Sequence, residues 1–154
     1  FNVAGAGASF MKQFKEVLEA ECKLNQCTYE IISMKDPLFE NYNNETCSEI
    51  ARNAVKKYMG EEALAKAQPW MACESMQAYL KYWPGVITFT GIQNPEMGTG
   101  ANHHTPEFDL DEKGMIYGAA AAIGHVVDFL NYEGEISFTP YKGNIRELAA
   151  RNIK

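Results

Sequence analysis

Pro84-Gly85-Val86-Ile87-Thr88-Phe89-Thr90-Gly91, then Gly98-Thr99-Gly100-Ala101-Asn102 and His103-His104-Thr105-Pro106-Glu107-Phe108-Asp109-Leu110-Asp111-Glu112, is the stretch on which the fold turns. Pro84-Gly85 predicts a turn, and residues 86–90, β-branched and aromatic, predict a buried strand ending at Gly91. Gly98 and Gly100 let the backbone bend close to a bound group. Pro106 restricts Thr105 to extended conformations and so sets the direction in which His104 projects. Asp109, Asp111 and Glu112 favour the start of a helix, where negative charge meets the positive end of the helix dipole. Strand, long loop and helix in that order predict an α/β fold, in which ligands bind at the carboxyl ends of strands.

Two of the three histidines therefore lie between a glycine-bearing loop and a helix, where a metal ligand would be held. The competing reading is a pair of solvated side chains near a turn. Adjacent side chains on an extended backbone point to opposite sides, so His103 and His104 are not expected to chelate one ion together. A zinc site needs three or four donors, and no neighbouring residues have that spacing. The other ligands must come from elsewhere. His125, with no second His or Cys three or four residues away, reads as structural or exposed.

Working outward, Asn44 can cap a helix in which Cys47, Ile50, Ala51, Ala54, Val55 and Tyr58 form one apolar stripe before Gly60 stops it. Residues 111–130 predict a long helix with Met115, Ile116, Ala119, Ala122, Ile123, Val126, Val127 and Leu130 apolar, its small residues allowing close packing on a sheet. Residues 8–24 predict another, with Phe10, Phe14, Val17, Leu18 and Cys22 in helical period and Asn25 as a left-handed stop. Residues 27–35 read as a strand ended by Asp36-Pro37. A short helix is expected over 72–82, a strand-like piece over 136–141 and a helix over 145–153. The polar, irregular stretch 38–43 suits a crossing between two structural units.

With 154 residues, 46% hydrophobic and 22% charged, the composition is that of an ordinary soluble globular domain. The net charge of −6 and the lack of any Lys/Arg cluster exclude a phosphate-binding surface, so no nucleic-acid partner is expected. The longest apolar run, near residues 119–123, is too short to span a bilayer. Cys22, Cys27, Cys47 and Cys73 contain no C-x-x-C pair, which weakens zinc-ribbon and redox readings; reduced, mostly buried thiols in a cytoplasmic protein are expected. The chain starts at Phe1 without an initiator methionine or signal peptide, and a piece of a longer protein is the preferred reading.

The ordered set of Pro84-Gly85, the aliphatic-aromatic run to Gly91, the glycine-bearing loop, His104 before Thr105-Pro106, Phe108-Asp109-Leu110-Asp111-Glu112 and the glycine- and alanine-rich helix resembles a known family. It is similar to the carboxyl-terminal part of a two-metal amidohydrolase or carboxypeptidase of metallopeptidase family twenty. That group includes aminoacylases, hippurate hydrolases and hydrolases of indole-acetyl amino acids. The resemblance covers roughly residues 8–130 and is strongest from Pro69 onward. It implies an α/β fold, a fragment of a zinc-peptidase-like α/β/α catalytic domain preceded by the end of a small α+β lid or dimerisation domain. Residues 1–41 would close the lid domain, 42–131 would belong to the catalytic domain and 132–154 would form a carboxyl-terminal extension.

The activity implied is hydrolysis of an amide bond in an N-acyl amino acid or short peptide by a metal-activated water, with two divalent ions, zinc or else manganese or cobalt. The resemblance assigns His104 as a metal ligand and Gly98, Thr99 and Gly100 as the room for substrate, with His103 at a variable position. The other ligands and the proton-shuttling glutamate would lie in an amino-terminal half of the same enzyme, so this chain alone is expected to be inactive. A homo-oligomer formed through the lid domain is also implied. Where many relatives have S-E-D-F, this chain has Cys73-Glu74-Ser75-Met76, so only the glutamate is kept and Glu74 is expected to be structural. The alternative is a non-catalytic interaction or assembly module that retains the fold.

Overall fold

The computed structural model describes residues 6–32, 40–68, 72 and 74–148. They gather into two units, one drawn from residues 1–42, 67–84 and 138–154, the other from 43–66 and 85–137. Four helices are labelled in chain order: α1, Ala6–Leu24; α2, Glu45–Met59; α3, Met76–Tyr79; and α4, Lys113–Leu130.

In the first unit, α1 turns Met11, Lys15, Leu18 and Cys22 inward, residues that recur at one helical period. Phe10, Phe14 and Val17 lie exposed on the flank, with the Phe10 and Phe14 rings stacked 6.4 Å apart. Both sets fit a helical repeat, and the surroundings of the helix decide which is inward. The helix ends at Leu24, as expected, but its left-handed residue falls one position later. Gln26, not Asn25, takes the left-handed backbone (φ 52°). The Cys27 N–H donates to the Cys22 carbonyl at 2.9 Å and the Gln26 N–H to the Lys23 carbonyl at 3.4 Å, the double bond pattern of a Schellman cap. Asn25 turns its amide back to the Glu21 carbonyl at 2.9 Å.

The chain then doubles back, and the Tyr29 hydroxyl donates to Glu19 Oε1 at 3.3 Å. Residues 27–32 are not a strand, because β-branched composition makes no ladder without a second segment to pair with. The rest of that expected strand, with Asp36-Pro37, lies outside the described residues. The helix expected over 72–82 contracts to α3, whose first free N–H is covered by Glu74: its Oε1 accepts from the Met76 N–H at 3.3 Å and the Ser75 hydroxyl at 3.1 Å. Glu74 is thus a capping group.

Segment 138–148 is fastened to the turn after α3. The Tyr141 N–H donates to the Lys81 carbonyl at 2.7 Å, and the Tyr82 hydroxyl donates to the Gly143 carbonyl at 3.2 Å while accepting from the Ile145 N–H at 3.0 Å. No strand forms over 136–141. A helical turn spans 145–148, and its continuation lies outside the described residues. Lys81 and Glu40 form a partly shielded ion pair at 2.6 Å.

The second unit is built on two adjacent asparagines. Asn44 caps α2, its Oδ1 accepting from the Cys47 N–H at 3.1 Å, and its own N–H donates to the Gly85 carbonyl at 2.9 Å. Asn43 does what a neighbouring strand would do for Ile87: Oδ1 accepts from the Ile87 N–H at 3.0 Å, and Nδ2 donates to the Ile87 carbonyl at 3.1 Å. The expected strand at 86–90 is therefore a single segment, held by a side chain and without a ladder; among the described residues no strand is formed.

Cys47, Ile50, Ala51 and Ala54 of α2 are buried as the apolar stripe requires, and Gly60 (φ 93°) ends the helix. Tyr58, at the end of the stripe, is exposed. α4 packs against α2 by a different face from the one its large apolar residues mark. Met115, Ile116, Ile123, Val126, Val127 and Leu130 are exposed. Gly114 and Gly124 are buried instead. A Cβ at Gly114 would stand 2.9 Å from Ile92 Cγ2, one at Gly118 would stand 3.1 Å from Thr90 Oγ1, and one at Gly124 would stand 2.6 Å from Tyr58 Cδ2. The bare face wins because it lets the α4 backbone come close to the 90–92 segment and to the Tyr58 ring. Asp128 locks the contact, accepting from Lys57 Nζ at 2.7 Å and the Tyr58 hydroxyl at 2.8 Å. Among the described residues no helix is long and apolar enough to cross a membrane.

Gly91 provides the contrast, since nothing lies within 4 Å of a Cβ there. Gly124→Val is expected to destabilise the protein by about 1–3 kcal/mol through overpacking against Tyr58, and Gly91→Ala by less than about 0.5 kcal/mol. Chemical denaturation measures both, and equal midpoints would contradict the close approach of α4.

Candidate functional site

The loop between the 85–92 segment and α4 is closed at its base by one backbone bond, from the Asp111 N–H to the Ile92 carbonyl at 2.9 Å. Asn94 organises what lies within. Its N–H donates to Thr99 Oγ1 at 2.8 Å, its carbonyl accepts from the Met97 N–H at 3.1 Å and the Thr99 N–H at 3.2 Å, and its Oδ1 accepts from the Glu96 N–H at 3.1 Å. Its Nδ2 reaches Asp111 Oδ2 at 2.7 Å and so ties the loop to the start of α4. Pro95 opens a 3-10 turn over Pro95–Met97, and Gly98 ends it with a left-handed backbone, φ 73°. The Asn94-Pro95 dipeptide is the signal from which this hub could have been read.

Gly98, Thr99 and Gly100 occupy distinct environments. A Cβ at Gly98 would meet open space, whereas one at Gly100 (φ 134°) would stand 2.6 Å from Gln93 Nε2. Thr99 is buried, and its hydroxyl is engaged with the Asn94 backbone, accepting at 2.8 Å and donating to the carbonyl at 3.3 Å. In this structure its side chain holds the loop's shape, and the open backbone beside it is at Gly98.

The two histidines depart from the geometry expected of an extended backbone. His104 has φ 67°, the left-handed region rarely taken by residues with a Cβ. That kink brings the rings together, edge to face, with centroids 4.7 Å apart. Both are exposed. They are held in a run of turns: Thr105 Oγ1 donates to the Asn102 carbonyl at 2.8 Å, and the Phe108 N–H donates to the Thr105 carbonyl at 3.2 Å across Pro106. The expectation that the two rings face opposite ways is corrected. Its premise was an extended chain, and a left-handed residue breaks the alternation.

The electrostatics favour a cation. Residues 93–112 contain Glu96, Glu107, Asp109, Asp111 and Glu112 and no Lys or Arg. Among the described residues no group of three or more His, Cys, Asp or Glu side chains could hold a metal ion. His125 lies on α4, half-buried, its ring 6.0 Å from that of Phe129.

Asp111 is held below the usual carboxylate range, first by the Asn94 amide that donates to it, then by the Lys113 N–H, while partial desolvation opposes this and the Lys113 charge adds to it. The folded protein therefore binds fewer protons at Asp111 than the unfolded chain does. This contribution is complete above the ordinary carboxylate pKa and is lost as pH falls through the lowered one. Asp111→Asn is expected to flatten the acid limb of the stability profile, with little change near neutrality in the slope against pH. Denaturation midpoints measured from pH 6 down to about pH 2 check this, and an unchanged acid limb would refute it.

No family model matches the chain, and no solved structure matches it. Curated proteins do. The IAA-amino acid hydrolase ILR1-like 4 of Arabidopsis thaliana is 29% identical over 118 residues, which is 73% of this chain and 27% of that protein. The putative amidohydrolase YhaA of Bacillus subtilis (strain 168) is 25% identical over 134 residues, 81% of this chain and 33% of that protein. A putative glutamate–cysteine ligase of Rhodococcus jostii (strain RHA1) is 31% identical over 83 residues, but these are only 10% of that protein and say little of its named activity. The first two matches make the chain similar, over most of its length, to amidohydrolases, in line with its His-Thr-Pro and Phe-Asp-Leu-Asp-Glu segments. It spans about a quarter to a third of the length of those relatives.

Proposed function

We propose that this chain is the carboxyl-terminal part of a metal-dependent amidohydrolase that cleaves the amide bond of an N-acyl amino acid or short peptide. The observation that supports this most is the similarity to an IAA-amino acid hydrolase across 73% of the chain, which includes the histidine loop. The α/β/α architecture, with residues 1–41 closing a lid domain, 42–131 in the catalytic domain and 132–154 as an extension, belongs to the same proposal. So does a homo-oligomer.

His104 is the proposed ligand for one of two divalent ions, zinc or else manganese or cobalt. An imidazole suits such ions, it is exposed, and its turn is pinned on both sides by hydrogen bonds. The carboxylates of residues 93–112 make the surroundings favourable for a cation. The remaining ligands and the proton-shuttling glutamate are proposed to come from an amino-terminal half of the same enzyme. Bound metal would supply a Lewis acid that polarises the scissile carbonyl and makes water nucleophilic at neutral pH. The chain's own part is orientation. The clasp of Asn94 and Asp111 fixes the loop, His103 packs against His104 and restrains its ring, and the open backbone at Gly98, flanked by Thr99 and Gly100, leaves space for substrate.

In a protein of the relatives' full length, His104→Ala is expected to lower kcat/KM for an N-acyl amino acid by more than about a hundredfold and to reduce bound metal, whereas His103→Ala costs about tenfold or less. Assays paired with elemental metal analysis decide it. Full metal content and full turnover in His104→Ala would sink the assignment, and a full-length protein without hydrolytic activity would favour an assembly module.

The apolar face of α4 fits the same proposal, as a surface for the absent half to cover. The 154-residue chain alone is expected to self-associate in sedimentation experiments. A stable monomer of 17.2 kDa would count against this view.

A further inference from the structure

The cap of α1 places two thiols side by side. In a Schellman motif the residue that donates the longer bond and the residue that accepts it lie against one another, a contact usually made by apolar side chains. Here those residues are Cys27 and Cys22, joined by the 2.9 Å bond from the Cys27 N–H to the Cys22 carbonyl. Both cysteines are free; Cys22 is half-buried on the inward face of α1, and Cys27 is exposed. The expectation of mostly buried thiols holds for Cys47 but not for Cys27. Cys47 of α2 is buried, and burial pushes its thiol up.

The geometry points to Cys22 and Cys27 as a dithiol site for exchange with small-molecule disulfides of the glutathione class, closing reversibly into a bond that staples the end of α1. Cys27 is the attacking group, because it is exposed and reaches solvent without any movement of the helix. Its thiolate attacks one sulfur of the small disulfide, forming a mixed disulfide on Cys27 and releasing one thiolate. Cys22, whose thiol is raised by partial desolvation and by the neighbouring Cys27, gives up its proton to solvent and attacks the Cys27 sulfur. A second small thiol leaves. Overall the two protein thiols are oxidised by two electrons to one disulfide, and one small disulfide is reduced to two thiols. The backbone bond between the two residues supplies the close approach that disulfide geometry requires.

The test needs no assay of activity. Trypsin cuts after Lys15, Lys23 and Lys35, so Cys22 and Cys27 fall in separate peptides, 16–23 and 24–35. After incubation with oxidised glutathione, non-reducing mass spectrometry is expected to show these peptides linked, the chain lighter by two hydrogens, and Cys47 still open to alkylation after denaturation. A dithiol reductant restores the starting mass. Cys22→Ser is expected to stop at a stable mixed disulfide on Cys27, and Cys27→Ser to slow adduct formation at Cys22 by more than tenfold. A lasting glutathione adduct on Cys27 in the unaltered protein, links between chains in place of the internal one, or equal reactivity of Cys22 without Cys27 would each overturn the proposal.

Discussion

The close approach of α4 through its glycines governs the second unit. Gly114 and Gly118 admit the 90–92 segment and Gly124 admits the Tyr58 ring; a Cβ would clash at Gly114 and Gly124 and crowd Thr90 at Gly118. The loop runs between those packed pieces, from Ile92 to Asp111, so the spacing between the 85–92 segment and α4 sets the distance its ends must span. A wider spacing would break the backbone bond at its base and, with it, the reach of Asn94 to Asp111. Helices that contain several glycines sacrifice intrinsic propensity, about 1 kcal/mol each relative to alanine. The contact offsets this by bringing backbone close to backbone and by adding the exposed hydrogen bonds of Asp128 with Lys57 and Tyr58.

Side-chain amides do much of the work that sheets do elsewhere. Asn43 satisfies both backbone groups of Ile87, Asn44 joins α2 to the 85 and 137 positions, and Asn94 gathers the loop. Each places an amide donor and acceptor where unpaired backbone would otherwise remain. The consequence for function is a histidine turn in a loop anchored at its base by polar bonds and followed along the sequence by carboxylates, while its imidazoles stay exposed. A donor group set in that way can contribute to a site completed by other residues, which fits a chain whose match covers only about a quarter to a third of its relatives' length.

Much of the local structure could be read directly. The Asn44 cap, the stripe of α2 and the stop at Gly60 came from residues that interact within one or two turns; α4 begins at Lys113, two residues after the expected start, with Asp111 accepting from the Lys113 N–H. The His-Thr-Pro and Phe-Asp-Leu-Asp-Glu segments carried the family resemblance, which the similarity to curated hydrolases supports. The readings that failed for strands and for buried helix faces depended on distant partners. Segments 27–32 and 86–90 have strand composition but no ladder, because pairing needs a second backbone that composition cannot supply. The large residues of α4 and the flank of α1 are exposed, because periodicity defines faces without saying which of them is covered.

The sequence by itself determined where α2 starts and stops, which residue types crowd the loop, and which family the chain resembles, since these depend on neighbours along the chain. Only the tertiary structure decided that α4 packs by its glycines, that Asn94 and Asp111 clasp the loop, and that His104 adopts a left-handed backbone and meets His103 edge to face. Those outcomes depend on how closely separate segments can approach, and that distance is set by packing, not by the order of residues.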